Sequence, residues 1–136
     1  MSESKSNTMN IAVLVTGSVY GSQDALSAFH YVRAALANGH TIQRVFFYND
    51  GVLNGSNLVS PAADEFDLHR AWVELANQHD FSLDICASAA LRRGIVDHRE
   101  ADKSDLQHHN LALPFQLTGL GQLAESIMTA ERLVQF

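Results

Sequence analysis

The chain holds one cysteine, Cys86, and the chemistry open to it depends on where it falls. It follows the run Phe81-Ser82-Leu83-Asp84-Ile85 and precedes Ala87-Ser88-Ala89-Ala90-Leu91-Arg92-Arg93. The first reads as a strand, the second as the opening of a short helix. A thiol at a helix N-terminus faces unpaired backbone N–H groups and the positive end of the peptide dipoles. That setting favours the thiolate, the form of cysteine that attacks as a nucleophile. Arg92 and Arg93 add positive charge to the same stretch, although they fall a turn or two along it. The opposing reading is a buried, inert sulfur, which is common among free cysteines; position alone leaves both open. One cysteine allows no intrachain disulfide, which fits a reducing, cytoplasmic setting.

Other groups offer less. A protease-like dyad needs a His beside the thiol and a third group to orient it. His30, His40, His69, His79, His98, His108 and His109 carry no recognisable local signature. One Cys and scattered His give no metal-ligand spacing, and the adjacent side chains of His108 and His109 diverge, so no metal is expected. Gly17-Ser18-Val19-Tyr20-Gly21-Ser22 follows a strand-like run and opens a helix, where anions bind in α/β proteins. It lacks the Gly-Lys-Ser/Thr of a P-loop and the G-x-G-x-x-G of a dinucleotide site, so no nucleotide cofactor is expected. It reads as a tight strand-to-helix turn, a small-anion site or, through Tyr20, the wall of a pocket beside Cys86. Asp64-Glu65-Phe66-Asp67 reads as a charged helix start rather than as paired catalytic carboxylates. Phe46-Phe47-Tyr48 reads as strand core. The polar stretch 51–60 is long for a plain connection, and such loops often bind partners.

Positioning Cys86 requires a scaffold, and the 136 residues suffice for one domain with a real core. Hydrophobic residues make up 46%, which predicts a packed globule. The formal net charge of -6 argues against direct contact with free nucleic acid, since phosphate binding needs a basic face. No apolar run is long enough to cross a membrane. The Ser-rich start, Met1 to Thr8, lacks the apolar stretch of a signal peptide and reads as a disordered tail.

The elements alternate. Asn10 to Thr16 is an apolar, β-branched run suited to a strand covered on both faces. Gln23 to Asn38 reads as a helix with Ala25, Phe29, Val32, Ala35 and Leu36 on one face, stopped by Gly39. Thr41 to Tyr48 is a second strand. Ser60-Pro61 predicts a helix start, with Asp64, Glu65 and Asp67 at its positive end, running to about His79 with Phe66, Ala71, Trp72 and Leu75 inward. Phe81 to Ile85 is a third strand, Ser88 to Arg93 a short helix, and 97–110 a polar segment with a short helix and a loop. Pro114 to Thr118 is extended, Gly119 to Thr129 a helix with Leu120, Leu123, Ala124 and Ile127 inward, and Arg132 to Phe136 a last strand. Alternating strands and helices with short connections predict right-handed βαβ units. The expected fold is α/β, three-layer and flavodoxin-like, around a central, mostly parallel sheet of about five strands. Cys86 then falls at the carboxyl edge of that sheet, where ligands and reactive groups gather.

These residues also resemble a known family. The segments are Ala12-Val13-Leu14-Val15-Thr16-Gly17 with Tyr20-Gly21, Val45-Phe46-Phe47-Tyr48 with Gly51-Val52, and Ser60-Pro61-Ala62 with Asp64-Glu65-Phe66-Asp67-Leu68. Arg70-Ala71-Trp72 follows, then Ile85-Cys86-Ala87 with Ala89-Ala90-Leu91-Arg92-Arg93-Gly94, and Leu117-Thr118-Gly119-Leu120-Gly121 through Val134-Gln135-Phe136. In this order and spacing the chain resembles the DsrE/TusD family of sulfur-relay subunits, and its TusD type above the others. The resemblance implies a single DsrE/TusD-like domain over 10–136; the Ser-rich extension over 1–9, expected to be disordered, departs from the family pattern and lies outside that domain. It also implies that Cys86, standing before Ala-x-Ala-Ala-Leu-Arg-Arg-Gly, is the active cysteine of a cytoplasmic sulfurtransferase. Such a subunit assembles with TusC-like and TusB-like subunits as a dimer of heterotrimers. It takes sulfur from a TusA-like donor as a cysteine persulfide and passes it to a TusE-like acceptor for 2-thiolation of the tRNA wobble uridine. It touches neither nucleic acid nor membrane itself. Three other readings fit the same residues: a DsrE-like subunit of dissimilatory sulfur oxidation, a non-catalytic assembly subunit with an inert cysteine, and a small-anion-binding module.

Overall fold

The apolar runs become the strands β1 (Asn10–Val15), β2 (Thr41–Phe47), β3 (Ser82–Cys86), β4 (Phe115–Thr118) and β5 (Arg132–Gln135) of a computed structural model that describes residues 7–136. All neighbouring pairs are parallel, in the order β4-β3-β2-β1-β5. The fold is thus the expected α/β one, with a sheet that is parallel throughout. Residues 1–6, most of the expected extension, lie outside the described residues. Met9 donates its backbone N–H to His40 Nδ1 (3.0 Å) and its carbonyl accepts from Thr41 N (2.9 Å) at the start of the sheet.

The topology dictates the layers. From β1 to β4 the strands advance in one direction, so right-handed crossovers lay the connecting helices on one face. These are α1 (Asp24–Ala37), α2 (Leu68–His79), α3 (Ala87–Leu91) and α4 (His98–Lys103), with a 3-10 helix over Asn49–Gly55. From β4 the chain reverses to reach β5 beside β1, and α5 (Leu120–Thr129) crosses on the opposite face. On the first face Phe47 and Phe29 each meet Trp72 edge-on at 5.3 Å. Alternation along paired strands places Val13, Val15, Val45, Leu83 and Ile85 on that same face, all fully buried.

Local chemistry sets the helix ends. α1 closes in a Schellman motif: Gly39 N–H bonds the Leu36 carbonyl (3.1 Å), His40 N–H bonds the Ala35 carbonyl (3.0 Å), and Gly39 takes φ 87°. α2 starts at Leu68 rather than at Ser60-Pro61. Asp67 is its N-cap, accepting from Arg70 N–H at 3.1 Å. Upstream, Glu65 uses its carboxylate on Ala62 N–H (2.8 Å) and its own N–H on the Ala62 carbonyl (2.9 Å), closing a turn instead of a helical start. Phe66, expected inward, is 51% exposed as a result. The polar segment 97–110 contains the short helix expected there, α4, capped by Asp97 on Glu100 N–H (2.8 Å).

Helix α5 departs most from expectation. Ser126 is its one buried residue, whereas Leu120, Ala124, Ile127 and Met128 face outward and Leu123 is half-buried. The reason lies in the strand beneath it. Arg44 of β2 stands on the α5 face and donates through Nη1 to Ser126 Oγ (2.8 Å) and to the Gln122 carbonyl (2.7 Å). Gln43 Nε2 donates to Thr129 Oγ1 at 2.8 Å. The sheet presents polar groups, so the helix turns its polar side inward.

Candidate functional site

Cys86 ends β3 and is the N-cap position of α3, the five-residue helix that follows. Its strand pairs with β2 through Phe47↔Ile85 and with β4 through Cys86↔Thr118, so the thiol stands at the carboxyl edge of a central region of the sheet. The residue is 1% exposed. Its Sγ lies 3.5 Å from Ser88 Oγ, and Ser88 itself is exposed. Its neighbours along the chain, Ile85, Ala89 and Ala90, are buried as well.

The two arginines that follow do not converge on the sulfur. Arg93 donates through Nε to Asp50 Oδ1 (3.0 Å) and through Nη1 to the Ala89 carbonyl (3.0 Å), tying α3 to the 3-10 helix. Arg92 is exposed. Sequence reasoning missed two residues near the thiol. Thr118, opposite Cys86 on β4, has a buried hydroxyl oxygen with no hydrogen-bond partner among the described residues. Asp84, two positions before Cys86, is 2% exposed at its side chain and pairs with Arg44 Nε at 2.9 Å. Ser82 Oγ and Gln116 Nε2 (3.2 Å) donate to the same carboxylate. A lone Asp in an apolar run was the available signal for Asp84. Nothing in one sequence could place Thr118 beside the thiol, since their pairing depends on register between distant strands.

The loops above the edge are held by a third missed residue. Asn54 is fully buried; its Nδ2 donates to the carbonyls of Gly51 (2.8 Å) and Gly17 (3.1 Å), and its Oδ1 accepts from Trp72 Nε1 (3.2 Å). His69 Nδ1 donates to its carbonyl at 2.7 Å. One side chain thus fastens the loop after β1, the loop after β2 and α2. The segment 51–60, expected as a partner loop, is largely drawn into the fold: Gly51, Val52, Asn54, Gly55 and Ser56 are buried. A Cβ on Gly51 would run into the Val15 carbonyl, so the loop can approach β1 only because glycine stands there.

The remaining sequence candidates separate. Tyr20 walls a cleft of about 550 Å³, but with Phe66, Leu26 and Leu68; Cys86 does not line it. Asp67 and Glu65 are occupied in capping and turn bonds. His109 meets His98 edge-on at 5.3 Å, and His98 Nδ1 lies 3.4 Å from Asp102 Oδ2. Among the described residues no group of three or more His, Cys, Asp or Glu side chains is arranged to hold a metal. Among them, too, no helix is long and apolar enough to cross a membrane.

An all-parallel five-stranded sheet with a cysteine at its carboxyl edge defines a class, and residues 9–136 match the DsrE/DsrF-like family. The chain belongs to that family, and membership points to a sulfur-trafficking role. Its fold is similar to the solved structure of the YchN protein from E. coli, with a TM-score of 0.73 at 16% identity, over 95% of this chain and 100% of that one.

Proposed function

We propose that this chain is a sulfurtransferase subunit that carries sulfur as a persulfide on Cys86. The observation that carries the reading is the position of its only cysteine, at the carboxyl end of β3 and the start of α3, in a DsrE/DsrF-like chain. The Cys86 thiolate attacks the outer sulfur of a donor persulfide. The donor's S–S bond breaks, the donor leaves as a thiolate, and Cys86-S-SH forms. An acceptor thiolate then attacks the same outer sulfur and Cys86 thiolate departs. Neither step needs an external oxidant or reductant, and neither needs a second cysteine in this chain. A resolving cysteine would instead discharge the persulfide as a disulfide and release hydrogen sulfide.

Burial of the sulfur shapes this reading. With Cys86 1% exposed, exchange requires the cover over the sulfur to open when a partner docks. Between exchanges the same cover shields the outer sulfur from small thiols. In the finer proposal, which follows the TusD type, a TusA-like protein is the donor and a TusE-like protein the acceptor, for 2-thiolation of the tRNA wobble uridine. TusC-like and TusB-like subunits complete the assembly; the outward apolar side of α5, with Met128 84% exposed, supports a partner there.

The test is intact-protein mass spectrometry after incubating the reduced chain with a cysteine desulfurase, cysteine and a TusA-like carrier. The expected result is a gain of one sulfur atom, removed by reductant and missing in Cys86→Ser. No gain by the co-expressed complex, with the carrier itself loaded, would overturn the proposal and favour an assembly subunit with an inert thiol. The family match also favours a DsrE-like role in sulfur oxidation. That reading predicts a loaded Cys86 but unchanged tRNA thiolation in a deletion strain.

A further inference from the structure

The cleft beside Tyr20 lies outside the thiol site and is a built feature. Tyr20 Oη donates to the Phe66 carbonyl at 2.6 Å, which clamps the loop after β1 to the chain leading into α2 and fixes the cleft's two walls. Its floor is apolar, from Val19, Leu26 and Leu68, while the rings of Tyr20 and Phe66 stand exposed at its mouth. Glu65 is the one charged residue in the lining, and the carboxylates of Asp64 and Asp24, beside lining residues, are exposed as well. The nearest basic groups are turned to other tasks or stand on α2: Arg33 lies over the Phe29 ring at 5.5 Å and bonds His30 Nδ1 at 2.9 Å, and Arg70 is exposed on the first turn of α2. The cleft opens between the loop after β1 and the chain that leads into α2.

An apolar floor, two exposed aromatic rings and the Glu65 carboxylate suit one kind of occupant. A phosphate or other anion would be repelled by Glu65. A guanidinium lies flat on aromatic faces, its stem buries along apolar surface, and its charge is answered by carboxylates. We propose that this cleft docks a basic segment of a partner protein, with an arginine against the Tyr20 and Phe66 rings and an aliphatic neighbour on the floor. The proposal goes beyond the sulfur chemistry and does not depend on it.

The experiment uses the ¹⁵N-labelled full chain and the probe acetyl-Gly-Arg-Leu-Arg-Gly-amide. Backbone amides of Tyr20, Ser22, Leu26 and Phe66 should shift on titration. Binding should weaken steeply as added salt shortens the screening length from about 30 Å to about 3 Å. Phe66→Ala should weaken it about fivefold, the scale of one exposed cation–π contact. Glu65→Gln with Asp64→Asn should also weaken it and flatten the salt dependence; Gln at position 65 keeps an acceptor for Ala62 N–H, so the turn survives. An unchanged spectrum away from the cleft verifies the fold of each variant. The proposal is overturned if those amides do not shift at millimolar peptide, or if Phe66→Ala binds as well as the parent. Equal shifts with a Glu-for-Arg peptide or with inorganic phosphate would also overturn it. So would concentration-dependent broadening of the same amides without peptide, which would assign the cleft to a second copy of the chain. Cys86→Ser should bind the probe unchanged, so failure here and failure of persulfide loading are read separately.

Discussion

Replacing Arg44 by Met tests the polar layer under α5, which holds the strand that ends in Cys86. The guanidinium is 13% exposed and its partner carboxylate, Asp84, 2%, at 2.9 Å. Removing one member of a buried pair leaves the other charge uncompensated, and such losses run to about 3–5 kcal/mol. Ser82 and Gln116 still donate to Asp84, which moderates the loss. Against that, Ser126 Oγ and the Gln122 carbonyl lose their Arg44 donors, so α5 loses its main polar anchor to β2. The expected cost of Arg44→Met is therefore about 3 kcal/mol or more, read as a fall of about 10–20 °C in Tm or a lower urea midpoint at unchanged slope. Arg44→Met with Asp84→Leu should recover more than half of the loss, because an apolar pair no longer strands a charge. A single-mutant cost below about 1 kcal/mol, the range of exposed pairs, would refute the reasoning and show that water reaches the network.

Three further outcomes are expected. Asn54→Ala strands the carbonyls of Gly17 and Gly51 and the indole N–H of Trp72, at about 1–3 kcal/mol for each unsatisfied group; urea unfolding followed by the fluorescence of Trp72 should show at least about 3 kcal/mol lost. Gly51→Ala drives a methyl into the Val15 carbonyl and should cost more than about 4 kcal/mol, seen as loss of soluble folded chain; a well-folded Gly51→Ala protein would mean that the loop relaxes away from β1. Ile127→Ser with Met128→Ser should change stability by no more than about 0.5 kcal/mol, since both side chains are exposed, yet abolish co-purification with the proposed TusC-like and TusB-like subunits.

Strands were the most legible part of the fold, because each is a short apolar run between turn residues. β1, β2 and β3 fall where periodicity and Gly punctuation put them, and Gly39 ends α1 in the motif its position implied. The start of α2 was misplaced because Ser60-Pro61 and Asp67 are both good caps; the choice was made by Glu65, whose carboxylate closes a turn over Ala62. The inward face of α5 was misread for a different reason. Apolar spacing predicts which side seeks a core, but the core here is Arg44, a residue of a distant strand, and a helix follows what lies beneath it. Of the candidate site, Cys86 and its edge position were readable from the β3–α3 junction. Its burial, the commitment of Arg93 to Asp50, and the pairing with Thr118 all depend on contacts between segments that one sequence does not align.

The pairing of β1 with β5 has a consequence for synthesis. Asn10 N–H bonds Glu131 Oε1 across 121 residues, and β5 adds alongside β1 through Ile11↔Arg132 to Leu14↔Gln135. On a ribosome adding about 5–20 residues per second, β1 waits roughly ten seconds for this neighbour. Until then β1 is an open edge, and the face that α5 will cover is bare. A nascent chain stalled before α5 would therefore hold four strands with an apolar rim ready to pair with another chain. Adding β5 is what covers the edge of β1, and a chaperone that meets the chain before then would find its binding surface on β1.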